Sequence, residues 1–297
     1  MAGIPFVREM TFAYGEVQQV SPLIRRVVAE NPGPFTYLGT GVYIIGHGEV
    51  AVIDPGPPIE THLQALKTAL AGERVTHVLT THTHLDHSPL AHPLARWAGA
   101  SVYGRPDPAA AHLDVSLEED GEAGFAPDVL VNDGDVFAGP GWTLEAVQTP
   151  GHMSNHVCYA LREENALFSG DHIMGWSTTV ISPPDGNMGD YYRSLAKVRA
   201  RNFDTLWPTH GPPVTDVNAF IDAYIAHRRA REDAILARLK AGDTLIPDMV
   251  KIIYKDVDAR LHAPAAHSVL AHMIHLVEAG RAKANGPFAL TTHFHPA

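Results

Sequence analysis

The residues of this chain best able to do chemistry stand in one short run, His82-Thr83-His84-Leu85-Asp86-His87. Histidine nitrogens and aspartate oxygens are common ligands of zinc and related divalent ions. Val75-Thr76-His77-Val78 before the run reads as the end of a buried strand, and Ser88-Pro89-Leu90-Ala91 after it as the start of a helix. A strand-to-helix loop can aim all four side chains at one point. A histidine-rich loop can also be no more than a polar turn, which is the simpler account of any single histidine. Four ligand-type side chains at H-x-H-x-D-H spacing behind an apolar strand favour a metal. Further histidine and aspartate candidates follow strand-like runs and sit beside glycine: Thr149-Pro150-Gly151-His152, Ser169-Gly170-Asp171-His172 and Trp207-Pro208-Thr209-His210-Gly211. Glycine lets the backbone turn tightly there and bring the side chain inward. Strand ends on one rim of a sheet sandwich would converge on one cleft.

The elements that must hold these residues alternate between strand and helix. Residues 8 to 55 read as short strands, at Val17 to Val20, Phe35 to Leu38, Gly41 to Ile45 and Val50 to Ile53. Asn31-Pro32-Gly33-Pro34 and Gly46-His47-Gly48 break them. Leu63, Leu66 and Leu70 give Ile59 to Ala71 helical spacing, and Pro89 to Trp97 suits a helix closed by Gly99. Residues 105 to 135 read as irregular and acidic. Trp142 to Thr149, Val157 to Leu161 and Ala166 to Ser169 are strands, Gly189 to Arg201 is a helix, and Thr205-Leu206-Trp207 is a strand. Two packed sheets with helices outside are expected. A second unit begins near Val217, with helices over Ala219 to Ala241, Ile246 to Tyr254 and Ala265 to Ala279. Arg281 to Ala284 and Phe288 to Thr292 then form a hairpin about Asn285-Gly286. The division expected is 1–216 for a catalytic unit and 217–297 for a winged-helix-like unit.

Composition narrows the function classes. With 297 residues the chain can bury a substantial core, and no run has the length and apolarity of a membrane span. The formal net charge of −11 argues against non-specific nucleic-acid binding by the whole surface. The charge is uneven: about 12 Lys and Arg face 25 Asp and Glu up to residue 218, and about 10 face 8 beyond it. The N-terminal residues show no secretory pattern, and Cys158, the only cysteine, reads as a core thiol. A reducing cytoplasm is the expected location.

Together the motifs resemble the metallo-β-lactamase superfamily of dinuclear metallohydrolases. His82, His84, Asp86, His87, His152, Asp171 and His210 match its ligand motifs in order, and Asp54 matches its early supporting aspartate. The resemblance implies an αββα sandwich. It implies that His82, His84 and His152 bind one metal, Asp86, His87 and His210 a second, and that Asp171 bridges them. A hydroxide between two divalent ions, zinc by preference, would attack the substrate, with Asp86 orienting it or moving a proton. Asp54, Thr81 and Thr209 are candidate acceptors behind the ligands, and His156 and His172 are supporting or core groups. Flavin-linked di-iron relatives carry glutamate where this chain has His84, which favours zinc and hydrolysis. True β-lactamases of the superfamily generally lack the aspartate that Asp171 supplies. The tail, through Ala226-His227-Arg228-Arg229-Ala230-Arg231-Glu232 and Val269-Leu270-Ala271-His272-Met273, resembles the β-lactamase-like protein 2 branch, which adds a C-terminal winged helix. One departure is Gly151-His152-Met153-Ser154-Asn155-His156, in place of the commoner G-H-T-P-G-H.

Two substrate classes follow from that branch. The one expected is single-stranded RNA, cut by a phosphodiesterase that needs cations and aromatic faces, for which Arg228, Arg229, Trp176 and Tyr191 are candidates, with Arg231 and Tyr192 beside them. The second is an ester, thioester or lactam, which the acidic body suits better. A third reading, a DNA-binding regulator, meets Ser268 to Leu276, which is mostly apolar and has no arginine to read guanine.

Overall fold

The computed structural model describes residues 3–108, 121–256, 258 and 262–297. One sheet takes β1 (Val17–Gln19), β2 (Ile24–Val28), β3 (Gly41–Ile45), β4 (Glu49–Ile53), β5 (Arg74–Leu79), β6 (Ser101–Gly104) and β7 (Val129–Leu130), side by side in chain order. The parallel pairs β4/β5 and β5/β6 are linked across α1 (Glu60–Ala69) and α2 (Ala91–Ala98). The other sheet takes β8 (Val136–Gly139), β9 (Trp142–Gln148), β10 (Val157–Leu161), β11 (Ala166–Gly170) and β12 (Thr205–Pro208), with α3 (Met188–Arg201) crossing between the parallel β11 and β12. Then follow α4 (Val217–Lys240), α5 (Ile246–Ile253), α6 (His262–Glu278) and the ribbon β13 (Ala282–Ala284) with β14 (Phe294–Pro296).

Alternation along the strands builds the layers. In β3, Tyr43 and Ile45 point between the sheets, while Val42 and Ile44 point outward under α1 and α2. In β10, Val157, Tyr159 and Leu161 fill the inter-sheet core, while Cys158 and Ala160 face α3 and α4. Both faces of β3, β10 and β11 are buried throughout, so these strands carry no regular polar alternation. The result is the expected four-layer αββα order.

α4 belongs to two cores. Val217, Phe220, Ile221 and Tyr224 pack with the outer face of the second sheet, whereas Ile235 and Leu239 pack with α5, α6 and Phe294. The helix that opens the predicted second unit therefore also closes the first.

Four expectations fail locally. Phe35 to Leu38 is a turn, with Tyr37 at φ 56°. Asn31 closes it, because its side-chain oxygen accepts from the Thr40 amide at 2.9 Å and its carbonyl from the Thr36 hydroxyl at 2.6 Å. β2 was outside the named runs because Arg25 and Arg26 mask it; Arg26 is buried and donates to Gln18 at 2.9 Å. The stretch expected to be irregular contains β7 and also residues 109–120, which lie outside the described residues. The C-terminal ribbon pairs Ala282–Ala284 with Phe294–Pro296 and not with Phe288 to Thr292. Pro287 removes a ladder donor directly after Asn285-Gly286, and buried Phe294 fixes the later strand by donating its amide to Thr244 O at 2.8 Å.

Candidate metal centre

Each chemical residue leaves the end of a strand. β4 leads into Asp54, held at φ 50°, a left-handed conformation that aspartate tolerates better than most residues. β5 leads into His82, His84, Asp86 and His87; the turn after β9 carries His152; β11 leads to Asp171; β12 leads to His210. Gly170 sits at φ 51°, and a Cβ there would lie 2.6 Å from His156 Nε2, so only glycine lets β11 pass this ring.

Asp54 ties three of these loops together. Its Oδ1 accepts from the Thr81 amide at 2.7 Å, and its Oδ2 from the Thr81 hydroxyl at 2.7 Å and the Thr209 hydroxyl at 3.2 Å. Its Oδ2 also lies 2.8 Å from His87 Nδ1. These contacts settle the ring tautomers. Thr81 has spent its one proton on Asp54, so across 3.0 Å it can only accept from His82 Nδ1. His87 Nδ1–H donates to Asp54, His152 Nδ1–H to Val180 O at 2.8 Å, and His210 Nδ1–H to Gly39 O at 3.2 Å. Four rings thus spend the Nδ1 proton outward and turn the Nε2 lone pair inward. His84 is reversed: its Nδ1 lies 2.9 Å from His82 Nε2 and 3.3 Å from His152 Nε2.

The inward atoms form three overlapping groups, His82/His84/His152, His82/His87/Asp171 and Asp86/His87/His210, each with its ligand atoms within 4.8 Å of one another. Asp171 touches both ends, with Oδ1 3.5 Å from His210 Nε2 and Oδ2 4.0 Å from His152 Nε2. Asp86 Oδ2 lies 3.0 Å from His210 Nε2 and accepts from the Thr40 hydroxyl at 3.1 Å. All seven residues are buried. Burial pushes the pKa of His82 well down, and the His87, His84 and His152 rings push the same way. On His87 burial also acts downward, but the carboxylates of Asp86, Asp54 and Asp171 outweigh it and the pKa rises well above the usual value. Burial opposes ionisation of Asp86, and the His87 and His210 rings reverse that, holding it well below the usual range. One end of the cluster is therefore neutral nitrogen and the other demands positive charge. Among the described residues, His87 Nε2 and Asp171 Oδ1 are buried without a hydrogen-bond partner, which is costly unless a cation satisfies them. The donor set fits divalent metal ions.

The remaining site candidates separate. Thr81 and Asp54 stand behind the cluster, bonded to each other and to the His82 and His87 rings. His156, buried, accepts from the Asp171 amide at 3.2 Å on Nε2 and lies 2.8 Å from Thr149 Oγ1 on Nδ1. His172 makes no hydrogen bond to a ligand residue; its ring packs 5.1 Å from the Tyr191 ring, and burial pushes its pKa down to about 3. Trp176 lines a cavity of about 40 Å³ beside His152 and Asp171, walled also by Pro34, Phe35, Met174 and Val180. Trp176 stacks on Tyr37 with centroids 4.6 Å apart. Tyr191 and Arg228 do not reach this cleft. Tyr191 is fully buried and donates to His172 O at 2.8 Å, and Arg228 is buried and donates to Thr179 O. Arg229 lies in a separate groove with Tyr192, Glu232 and Arg281. The changed turn after His152 is braced from outside: the Ser154 amide donates to Asp185 at 2.7 Å, and Asn155 donates to Thr83 at 2.9 Å. Thr40, Phe35 and Val180 were not foreseen. Phe35 and Val180 carry no sequence signal of a site role, and Thr40 is distinguished only by its glycine neighbours.

This centre and the αββα frame define a metal-dependent hydrolase, and the chain belongs to the metallo-beta-lactamase superfamily, whose model matches residues 37–210. A beta-lactamase associated winged helix domain matches residues 246–287. Among similar proteins, a beta-lactamase-like protein 2 homolog of Caenorhabditis elegans is 32% identical over 262 residues, covering 85% of this chain and 83% of the relative. The atrochrysone carboxyl ACP thioesterase dmxR1 of Cryptosporiopsis is 31% identical over 228 residues, covering 76% and 65%. A beta-lactamase domain protein from Burkholderia ambifaria shares the fold, with a TM-score of 0.81, 20% identity and coverage of 97% and 96%.

Proposed function

We propose that the chain hydrolyses acyl thioesters at a dinuclear zinc centre, with His82, His84 and His152 on one ion, Asp86, His87 and His210 on the other, and Asp171 shared. The observation that carries this reading is the cleft itself. Above Asp171 its walls are Phe35, Met174, Trp176 and Val180, and among the described residues its lining holds no lysine or arginine. An RNA backbone needs such cations. The RNA reading also loses Tyr191 and Arg228 to the interior. Past Val180, the chain runs on to a larger cavity of about 620 Å³ between Pro183, Met188, Leu270, Ile274, Phe288 and Leu290, a surface suited to carbon chains or rings. The thioesterase named among the relatives points the same way.

Two divalent ions would supply an acidified water and a Lewis acid for the carbonyl oxygen. Asp86, fixed by Thr40, receives the proton of the attacking water at its carboxylate. Phe35 and Trp176 hold the acyl group and exclude bulk water. A thiol leaves with a pKa of about 8.5, so no side chain need protonate it first. The sole cysteine is buried, and we place the protein in a reducing cytoplasm. Among the described residues no helix is long and apolar enough to cross a membrane. We take residues 1–216 and 217–297 as the two units.

Metal-loaded protein assayed against an acyl-coenzyme A, a fluorogenic single-stranded RNA and a chromogenic cephalosporin tests the reading. Thioester hydrolysis that chelation abolishes and zinc restores is expected. A higher kcat/KM on RNA or cephalosporin than on any thioester would overturn it.

A further inference from the structure

Arg228 is a charged side chain inside the protein. It is 4% exposed and, among the described residues, forms no ion pair. Its guanidinium donates to Thr179 O and lies 5.4 Å over the Tyr191 ring, and among the described residues its Nε has no hydrogen-bond partner. Burying a cation against a carbonyl and a ring is costly compared with an apolar side chain of similar volume. Packing alone does not account for it.

The chain of contacts leads to the metal centre. The Thr179 hydroxyl lies 2.9 Å from Asp171 O and 3.0 Å from His172 O, so it donates into the turn that carries Asp171. The next residue, Val180, offers the carbonyl that takes the His152 Nδ1 proton. Residues 179–180 therefore hold the main-chain carbonyl of Asp171 on one side and the His152 ring on the other. From the same helix, the Tyr224 hydroxyl reaches Met174 O at 2.7 Å and Ser177 O, sharing its one proton between them. One face of α4 thus grips the strap 171–180 at three carbonyls.

We propose that Arg228 is a positioning residue: it holds Thr179 and Val180 so that Asp171 and His152 keep the spacing a metal pair requires. This rests on the reading of the seven residues as metal ligands. The guanidinium touches neither ligand nor substrate and acts through the strap. Its charge matters because a cation polarises the Thr179 carbonyl contact, which a neutral side chain of equal volume cannot do.

The test uses the full chain, with Arg228→Met, Arg228→Lys and Thr179→Val beside the wild type. Zinc release to a chromogenic chelator is followed directly, with kcat and KM on the best thioester and thermal melting of metal-free protein. Arg228→Met should release zinc at least tenfold faster and lose at least tenfold in kcat, with KM within threefold. Its metal-free melting temperature should stay level or rise. Arg228→Lys should recover part of the zinc retention. Thr179→Val keeps Arg228 and removes only the hydroxyl; it should also release zinc faster, and it decides the matter if Arg228→Met does not fold. Release and kcat within twofold of wild type in Arg228→Met, or in Thr179→Val where that variant decides, overturn the proposal. A wild type that binds no zinc overturns the underlying metal reading instead.

Discussion

Asp54→Asn changes no volume and keeps a side chain that tolerates φ 50°, yet it should weaken metal binding. As a carboxylate, Asp54 only accepts, and its Oδ2 faces the Thr81 hydroxyl, the Thr209 hydroxyl and His87 Nδ1. An asparagine that keeps its oxygen on the Thr81 amide presents an NH2 to these three groups. The two hydroxyls can turn and accept. His87 can accept only by moving its proton from Nδ1 to Nε2, which removes the lone pair aimed at Asp86 and Asp171. Loss of an outer partner of a ligating histidine typically costs 10–100-fold in metal affinity, about 1.4–2.7 kcal/mol. Rotation of the amide would instead strip the Thr81 amide of its acceptor and cost about 1.5–3 kcal/mol of fold stability. Competitive zinc titration against a chelator, with urea unfolding of metal-free protein, reads both routes. A zinc affinity within threefold of wild type, at unchanged stability, would refute the tautomer argument.

Asp171→Ala should leave a folded protein that holds one zinc or fewer and has lost at least about 100-fold in kcat, as metal analysis and thioester turnover will show. Trp176→Ala removes the ring stacked on Tyr37; KM for aromatic acyl thioesters should rise about 5–10-fold, with kcat within threefold. His62 is buried against Pro55 O, and burial holds its pKa down to about 4, below the unfolded value near 6.5. Because the unfolded chain takes up the proton first, the stability this confers is complete above pH 6.5 and is lost as pH falls toward 4, by up to about 3 kcal/mol. Urea midpoints of metal-free wild type should fall through that window, and those of His62→Leu should fall less; parallel curves would contradict the assignment.

What the sequence made legible is what local pattern encodes. The seven ligand candidates, Asp54 and Thr81 were readable because each follows an apolar strand and sits beside others of its kind. The buried pairs Tyr43/Val42 and Tyr159/Cys158 were readable as strand but not as layer, since an apolar run has no polar face to show which side is inside. Phe35 misled because its aromatic neighbours resemble a strand, whereas the Asn31 side chain imposes a turn from outside that window. Phe294 misled in the opposite sense: Asn285-Gly286 promises a tight hairpin, and a long-range anchor on Thr244 overrules it. Arg228 reads as a surface group by type, and Tyr191 as either a cleft wall or a core ring. Only the packing of α4 against the strap 171–180 shows that they are interior, and no local signal marks such a contact.

A single unbroken helix that serves two cores also constrains how such a protein can be cut, joined and inherited. Ending the chain at Asp216 would leave the second sheet bare where Phe220 and Tyr224 cover it, and starting it at Val217 would expose those rings to water. Neither half can be expressed, swapped or duplicated as a module without α4. Gene rearrangements that separate catalytic fold from winged helix must therefore copy this helix twice or replace it. The two units should melt as one transition rather than two.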